Sequence, residues 1–296
     1  MFSEITPPII TDSGPFYYGN EISLTIRRLD LTDPITGGNK WYKLQYNLLQ
    51  FKKKGFKELV TFGGAFSNHV AAVARTCKLE GINCIGIIRG EPESIKNTTL
   101  QRAANDGMKL IFVSRSDYRR KEDPEFLQQL LTGYNESYIL PEGGSNKYGV
   151  MGCMNILQEK DAHFSHIAIA CGTGATATGM IHKLKPNQHL IGFSVLRDGF
   201  SLEKSIQDYL SGIKPDNLSQ QWHIEHDFHF GGYAKTNDEL TNFVNDFYIR
   251  TAVQIEPVYT GKLFYGLEHL INSGAFEPGS KILAIHTGGL QYLQPD

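Results

Sequence analysis

From residue 58 onward the spacing of apolar positions switches repeatedly between two patterns. The runs "ELVTF" (58–62), "INCIGIIR" (82–89), "KLIFVS" (109–114) and "SYIL" (137–140) are short and rich in β-branched and aromatic residues, and they predict strands. Between them, "SNHVAAVARTCKLEG" (67–81), "KNTTLQRAANDG" (96–107) and "PEFLQQLL" (124–131) place apolar residues at helical spacing. After a turn, "PEGGSN" (141–146), the alternation resumes. Strands are expected at 166–170, 190–196 and 282–286, and helices at 147–160, 174–184, 200–211, 236–250 and 261–273. Repeated βαβ units predict an α/β chain with two open, twisted, mainly parallel sheets flanked by helices. No low-complexity linker divides the chain. The expected division is a small α/β domain over 45–145 and a large one built from 1–44 plus 146–296, with a ligand in the cleft between the sheets.

Composition narrows the function classes. Twenty-nine basic against 31 acidic residues give a net charge of −2, with no basic stripe of the kind that neutralises nucleic acid. No run approaches the roughly 20 apolar residues that span a bilayer. The opening "MFSEITPPII" lacks the basic start and apolar stretch of a secretory leader. The expectation is a soluble cytoplasmic protein with neither a nucleic-acid nor a membrane partner. Cys77, Cys84, Cys153 and Cys171 show no CxxC spacing and read as reduced, packed thiols. In "HIEHDFH" the even spacing of His223, His226 and His229 suggests a metal site, but strand-like alternation puts His226 on the face opposite the other two, so no metal is expected.

Several turns could carry chemistry. In "IAIACGTGATATGM" (167–180) an apolar strand runs into a Gly/Thr-rich turn, Gly172, Thr173, Gly174, Ala175 and Thr176, and then a helix. Unobstructed backbone N–H groups there could converge on a phosphate, or the stretch could be only a tight βα turn. It is not a GxGxxG dinucleotide fingerprint and has no GKS/GKT ending. In "TFGGAFSNHV" (61–70), Ser67 or Asn68 could cap a helix. In "TGGNKWYKL" (36–44), Asn39 is placed to cap a helix whose first residue is Lys40. A cation at a helix N-terminus costs roughly 0.3–1 kcal/mol. An exposed lysine tolerates that in salt; a partly buried one gains a lowered pKa and becomes a nucleophile able to form a Schiff base. Tyr233, Tyr259, Thr260 and Thr287 lie in turn-rich contexts near the ends of expected elements.

Seven stretches in register, "GGNKWYKL", "GGAFSNH", "LPEGGSN", "CGTGATATGM", "GGYAK", "EPVYTGK" and "HTGGL", resemble the D-cysteine desulfhydrase and 1-aminocyclopropane-1-carboxylate (ACC) deaminase family. These are pyridoxal-phosphate enzymes with the tryptophan-synthase β-subunit fold, and the resemblance covers about residues 7 to 290. It implies that Lys40 carries pyridoxal 5′-phosphate covalently, with Lys43 a structural neighbour. Asn68 would bond the cofactor's phenolic oxygen, and Ser67 with nearby amides would hold the substrate carboxylate. The turn from Gly172 to Thr176 would take the phosphate, with Thr260 and Thr287 also at the cofactor, and Tyr233 and Tyr259 would line the substrate side. The deaminase pattern resembles "PVYEG" followed by "HLGG", where this chain has "PVYTG" and "HTGG". A neutral Thr260 beside the pyridine nitrogen suits β-elimination better than ring opening. The resemblance therefore favours desulfhydrase-type elimination on a D-amino acid over ACC deamination, a small amino acid as substrate, and a homodimer. The segment "TIRRLDLTDPITGGNK" lacks the "KRDD"-like or "KRED"-like run of relatives, which bears on substrate identity.

Overall fold

The computed structural model describes residues 10–32, 36–134, 136–197, 200–212 and 221–290. Its strands are β1 (Asp12–Tyr17), β2 (Ser23–Arg28), β3 (Glu58–Gly64), β4 (Asn83–Arg89), β5 (Lys109–Val113), β6 (Ser137–Leu140), β7 (His166–Cys171), β8 (His189–Ser194), β9 (Trp222–Glu225) and β10 (Lys281–His286). The helices are α1 (Asn39–Lys54), α2 (Asn68–Glu80), α3 (Thr98–Asn105), α4 (Arg115–Tyr118), α5 (Pro124–Leu130), α6 (Lys147–Cys153), α7 (Ala175–Ile181), α8 (Phe200–Gly212), α9 (Asp238–Thr251) and α10 (Thr260–Asn272). Two sheets form, ordered β1-β2-β10-β7-β8-β9 and β5-β4-β3-β6. All strand pairs are parallel except β1 with β2, an antiparallel hairpin at one edge.

The near-continuous apolar strands follow from burial on both faces, as parallel sheets require. Along β7, Ala168 and Ala170 join Leu263, Phe264 and Leu267 of α10, while the alternate residues Ile167 and Ile169 pack with Met180 of α7 and Ile206 of α8. In the smaller sheet Leu59 packs with Val70 of α2, and its neighbours Val60 and Phe62 face Tyr118 and Leu131. Helix α1 touches both cores: Leu44, Leu48 and Phe51 enter that of the smaller sheet, and Tyr42 that of the larger. The residue pair Lys40 and Lys43 is therefore held between two rigid layers.

Three local expectations are corrected. The cap of α1 is Gly38, and Asn39 is already helical. A Cβ at Gly38 would lie 2.1 Å from the carbonyl oxygen of Thr287, so only glycine fits where β10's exit crosses the helix start. The helix expected over 147–160 ends at Cys153 and continues as short 3₁₀ turns. It breaks because Asp161 accepts from the Gln158 amide at 2.7 Å and turns its carboxylate to the wholly buried guanidinium of Arg27, at 2.5 and 2.8 Å. Strand β9 stops at Glu225, so the histidines do not alternate along one strand. His226 pairs with Glu203 at 2.6 Å, and His229 accepts from the Gly231 amide within a turn. The hairpin β1–β2 was legible only as an N-terminal contribution to the larger sheet, because its residues alternate weakly.

The four cysteines are all free and buried, matching the sequence expectation. Among the described residues no helix is long and apolar enough to cross a membrane.

Candidate active site

A cavity of about 670 Å³ is walled by the segments that leave the carboxyl ends of β3, β6, β7, β8 and β10, together with the first turn of α1. That is where open parallel sheets present ligand sites, because the loops after the strands converge there.

Lys40 enters from α1, half-buried, its Nζ donating to Asn39 Oδ1 at 2.9 Å. The Asn39 amide in turn donates to Thr176 Oγ1 at 3.0 Å, so one side chain couples the lysine to α7. Burial, reinforced by the like charge of Lys43, lowers the Lys40 amine to about 7. Lys43 is nearly inaccessible; burial also lowers its pKa, and its Nζ donates to Gly143 O at 3.0 Å, Ser145 Oγ at 3.3 Å and Thr173 Oγ1 at 3.4 Å. The second amine thus faces the Gly/Thr-rich turn, a placement the sequence did not reveal.

The wall after β3 is the stretch "GGAFSNH". Ser67 caps α2 by accepting from the Val70 amide at 3.3 Å, and Asn68 begins the helix. His69 follows, buried on the cavity wall. Its Nε2 lies 2.8 Å from Thr61 Oγ1, whose own proton goes to the Leu140 carbonyl at 3.1 Å. Thr61 must therefore accept from the imidazole, which fixes the Nε2–H tautomer and leaves Nδ1 a buried acceptor with no partner in the structure. Burial, and then Lys40 and Lys43, hold this imidazole neutral.

The opposite wall is the turn after β7. Gly174 has φ +79° and caps α7, and a Cβ there would strike Ile206 at 2.8 Å. Gly172 lies under the Tyr259 ring, 3.3 Å from where its Cβ would stand. Tyr259 meets the half-exposed Tyr233 edge-on, centroids 5.9 Å apart. Thr173, Thr176 and Thr287 line the cavity, while Ala175 is fully buried behind the turn. Thr260 is not on the lining: wholly buried, its hydroxyl accepts from the Glu256 amide at 2.9 Å and lies 3.0 Å from Glu256 Oε1. Burial raises the pKa of Glu256, opposed by the amides of Val258, Tyr259 and Thr260 that donate to it. Sequence reasoning passed over Glu256, His69 and Arg89, another cavity residue. The first two sit inside quoted motifs, and only their burial marks them out.

Comparison with known proteins finds the same relationship along the chain. The family model described as "Pyridoxal-phosphate dependent enzyme" matches residues 10–288. A putative 1-aminocyclopropane-1-carboxylate deaminase of Pyrococcus horikoshii is 30% identical over 278 residues, covering 90% of this chain and 84% of that protein. The D-cysteine desulfhydrase of Salmonella typhi is 29% identical, covering 94% and 89%. Among solved structures, an ACC deaminase homologue superposes with a TM-score of 0.77 at 29% identity, over 90% of this chain and 85% of that one. A hydrogen sulfide-producing enzyme from Fusobacterium nucleatum shares the fold at 15% identity, with a TM-score of 0.64 over 97% and 96% of the two chains.

Proposed function

The chain belongs to the family of pyridoxal-phosphate dependent enzymes, and from that premise we propose that it catalyses desulfhydrase-type α,β-elimination on a small D-amino acid, D-cysteine first among them. Its cofactor is pyridoxal 5′-phosphate. The observation that carries the proposal is the Lys40 amine, half-buried on the cavity wall with a pKa lowered to about 7, since an uncharged amine is what condenses with an aldehyde.

The donor set fits the group. Lys40 would hold the aldehyde carbon, Asn68 the phenolic oxygen, and the turn from Gly172 to Thr176 the phosphate, with the Lys43 amine beside Thr173 supplying positive charge to the same end. Thr287 completes the set on the lining, and Thr260, buried behind the wall, acts only through the Glu256 loop that carries Tyr259. When bound, the cofactor supplies an electron sink for the pair left at Cα. Ser67 and the neighbouring backbone amides at the start of α2 would hold the substrate carboxylate. The Lys40 amine would stand beside the substrate Cα and be placed to take its proton at short range. The Cβ–S bond then breaks with its electron pair leaving on sulfur, and water converts the released aminoacrylate to pyruvate and ammonia. Tyr233 and Tyr259 cover the substrate side and exclude bulk water.

Ring opening of ACC to 2-oxobutanoate and ammonia is the second reading, favoured by the names of the Pyrococcus relatives. A cofactor-binding homologue without activity is a third. The proposal includes the division into 1–44 plus 146–296 and 45–145, a homodimer, and a cytoplasmic location. The test is spectroscopic and then chemical. Purified protein with cofactor should be yellow, with a visible band that Lys40→Ala abolishes and Lys43→Ala retains. Pyruvate from D-cysteine should exceed 2-oxobutanoate from ACC; the reverse order moves the assignment to the deaminase, and a colourless protein with excess cofactor removes both.

A further inference from the structure

A second cavity, of about 960 Å³, adjoins the first and shares with it Gly64, Ala65, Arg89 and Glu142. Its walls come from the carboxyl ends of all four strands of the smaller sheet: Gly64 from β3, Arg89 from β4, the Arg115–Lys121 segment after β5, and Glu142 after β6. The strand order reverses between β3 and β6, which places this crevice at the switch point where open parallel sheets take ligands.

Its chemistry is cationic. Arg89, Arg115, Arg119 and Lys121 outnumber Glu91 and Glu142. Lys121 has Glu142 at 3.6 Å, but among the described residues Arg89, Arg115 and Arg119 have neither an ion pair nor a side-chain hydrogen bond. Arg89 and Lys121 both lie over the ring of Tyr118, at 5.5 and 5.2 Å from its centroid. Tyr118 is 3% exposed, and its buried hydroxyl makes no hydrogen bond of good geometry, with the Glu142 carboxylate its charged neighbour. Two cations gathered on one ring, beside two arginines that no described carboxylate pairs, form a cradle that an oxyanion would complete. The Arg89 guanidinium leans back across the end of β3: its Nη2 is 3.5 Å from where a Gly64 Cβ would stand, three residues before Ser67. It therefore faces the catalytic cavity and the crevice at once.

We propose that this crevice recognises an anionic group at the far end of the amino-acid substrate, with Arg89 as the specificity-determining residue at the junction of the two cavities. Among S-substituted relatives of D-cysteine, the site then favours those whose Cβ substituent ends in a carboxylate or a comparable oxyanion over neutral ones of the same shape. The inference rests on the reading that the amino acid is held at Ser67 and Lys40.

The experiment uses the cofactor-loaded full chain and two compounds of nearly equal shape, S-carboxymethyl-D-cysteine and its neutral amide, S-carbamoylmethyl-D-cysteine. Binding is read from the change in the visible band, and turnover from pyruvate. The wild type should bind the carboxylate at least tenfold more tightly than the amide, as a bidentate arginine contact predicts. Arg89→Gln should bring that ratio close to one, with the loss in KM rather than kcat, and Arg115→Gln/Arg119→Gln should lower it partway. A wild-type ratio near one, a ratio that survives Arg89→Gln, or failure of both compounds to bind where D-cysteine binds overturns the inference. Sodium sulfate should compete with the carboxylate compound and not with D-cysteine. Sulfate stabilisation lost in Arg89→Gln, combined with a substrate ratio near one, would mean a free-anion site and would also overturn it. A protein with no visible band, or one that answers no amino acid, fails at the underlying reading instead.

Discussion

The carboxylate of Glu256 lies 3.0 Å from the hydroxyl of Thr260 and accepts from the Thr260 amide at 2.7 Å, tying off the loop that carries Tyr259 into the cavity. It also accepts from the amides of Val258 and Tyr259, so one buried acid organises three consecutive positions. Glu256→Ala strands those amides, and about 2–4 kcal/mol of stability should be lost in urea denaturation. Glu256→Gln, which keeps one acceptor, should lose less than half of that. Thr260→Glu should raise 2-oxobutanoate from ACC relative to pyruvate from D-cysteine; an unmoved ratio means that residue 260 does not set the reaction.

Lys40 gives a pH dependence with a definite sign. In the unfolded chain its amine holds a proton up to about 10.5, and in the fold only to about 7. Between those values the unfolded state binds more protons, so stability of the cofactor-free protein rises with pH across this window and the contribution is absent below it. The Tm difference between wild type and Lys40→Met should therefore move in favour of wild type from pH 7 to 10. Cofactor loading, followed at the visible band, should accelerate with pH and level off above about 7; a flat profile would show that the amine is not the titrating group.

The Arg27–Asp161 pair is the structural counterpart. Arg27 is wholly buried and also bonds Asp12 and the Ile156 carbonyl. Asp161→Ala leaves that guanidinium short of a partner and should cost about 3–5 kcal/mol in denaturant unfolding. Arg27 and its hydrogen bonds hold the Asp161 carboxyl below its usual range despite burial. Its contribution is therefore present above the unfolded pKa near 4 and fades as pH falls through the folded one. Wild type should lose more Tm than Asp161→Asn between pH 5 and 3.

Gly38 supplies a backbone test. At φ +70°, ψ −158° it occupies a region that glycine alone visits readily, with Thr287 O across the gap. Gly38→Ala should cost at least about 1–3 kcal/mol and displace the first turn of α1. The visible band at limiting cofactor should weaken at least tenfold, while Gly55→Ala, at a helix end with open space around it, should leave the band intact.

Strands β3 to β6 and helices α2, α3 and α5 were legible because each carries a local signal, an apolar run of the right length and, for the helices, a Ser, Asn or Asp cap, whereas the short α4 was not anticipated. The motif residues were legible as a set, because the Gly-rich turns announce loops at strand ends. What the local pattern missed are arrangements that depend on distant partners. The helix after 147 stops where Asp161 reaches Arg27, 134 positions away in the chain. Lys43 turns to Thr173 across 130 positions, and Gly38 is required by Thr287.

Periodicity and turn chemistry, being properties of neighbours, thus determined the α/β class and the two parallel sheets without reference to the rest of the molecule. Only the tertiary structure decided which side chains share a cavity, which amine is lowered toward neutrality, and that Arg89 stands between two clefts. Burial, electrostatic coupling and hydrogen-bond closure arise between segments that meet only once the chain has folded.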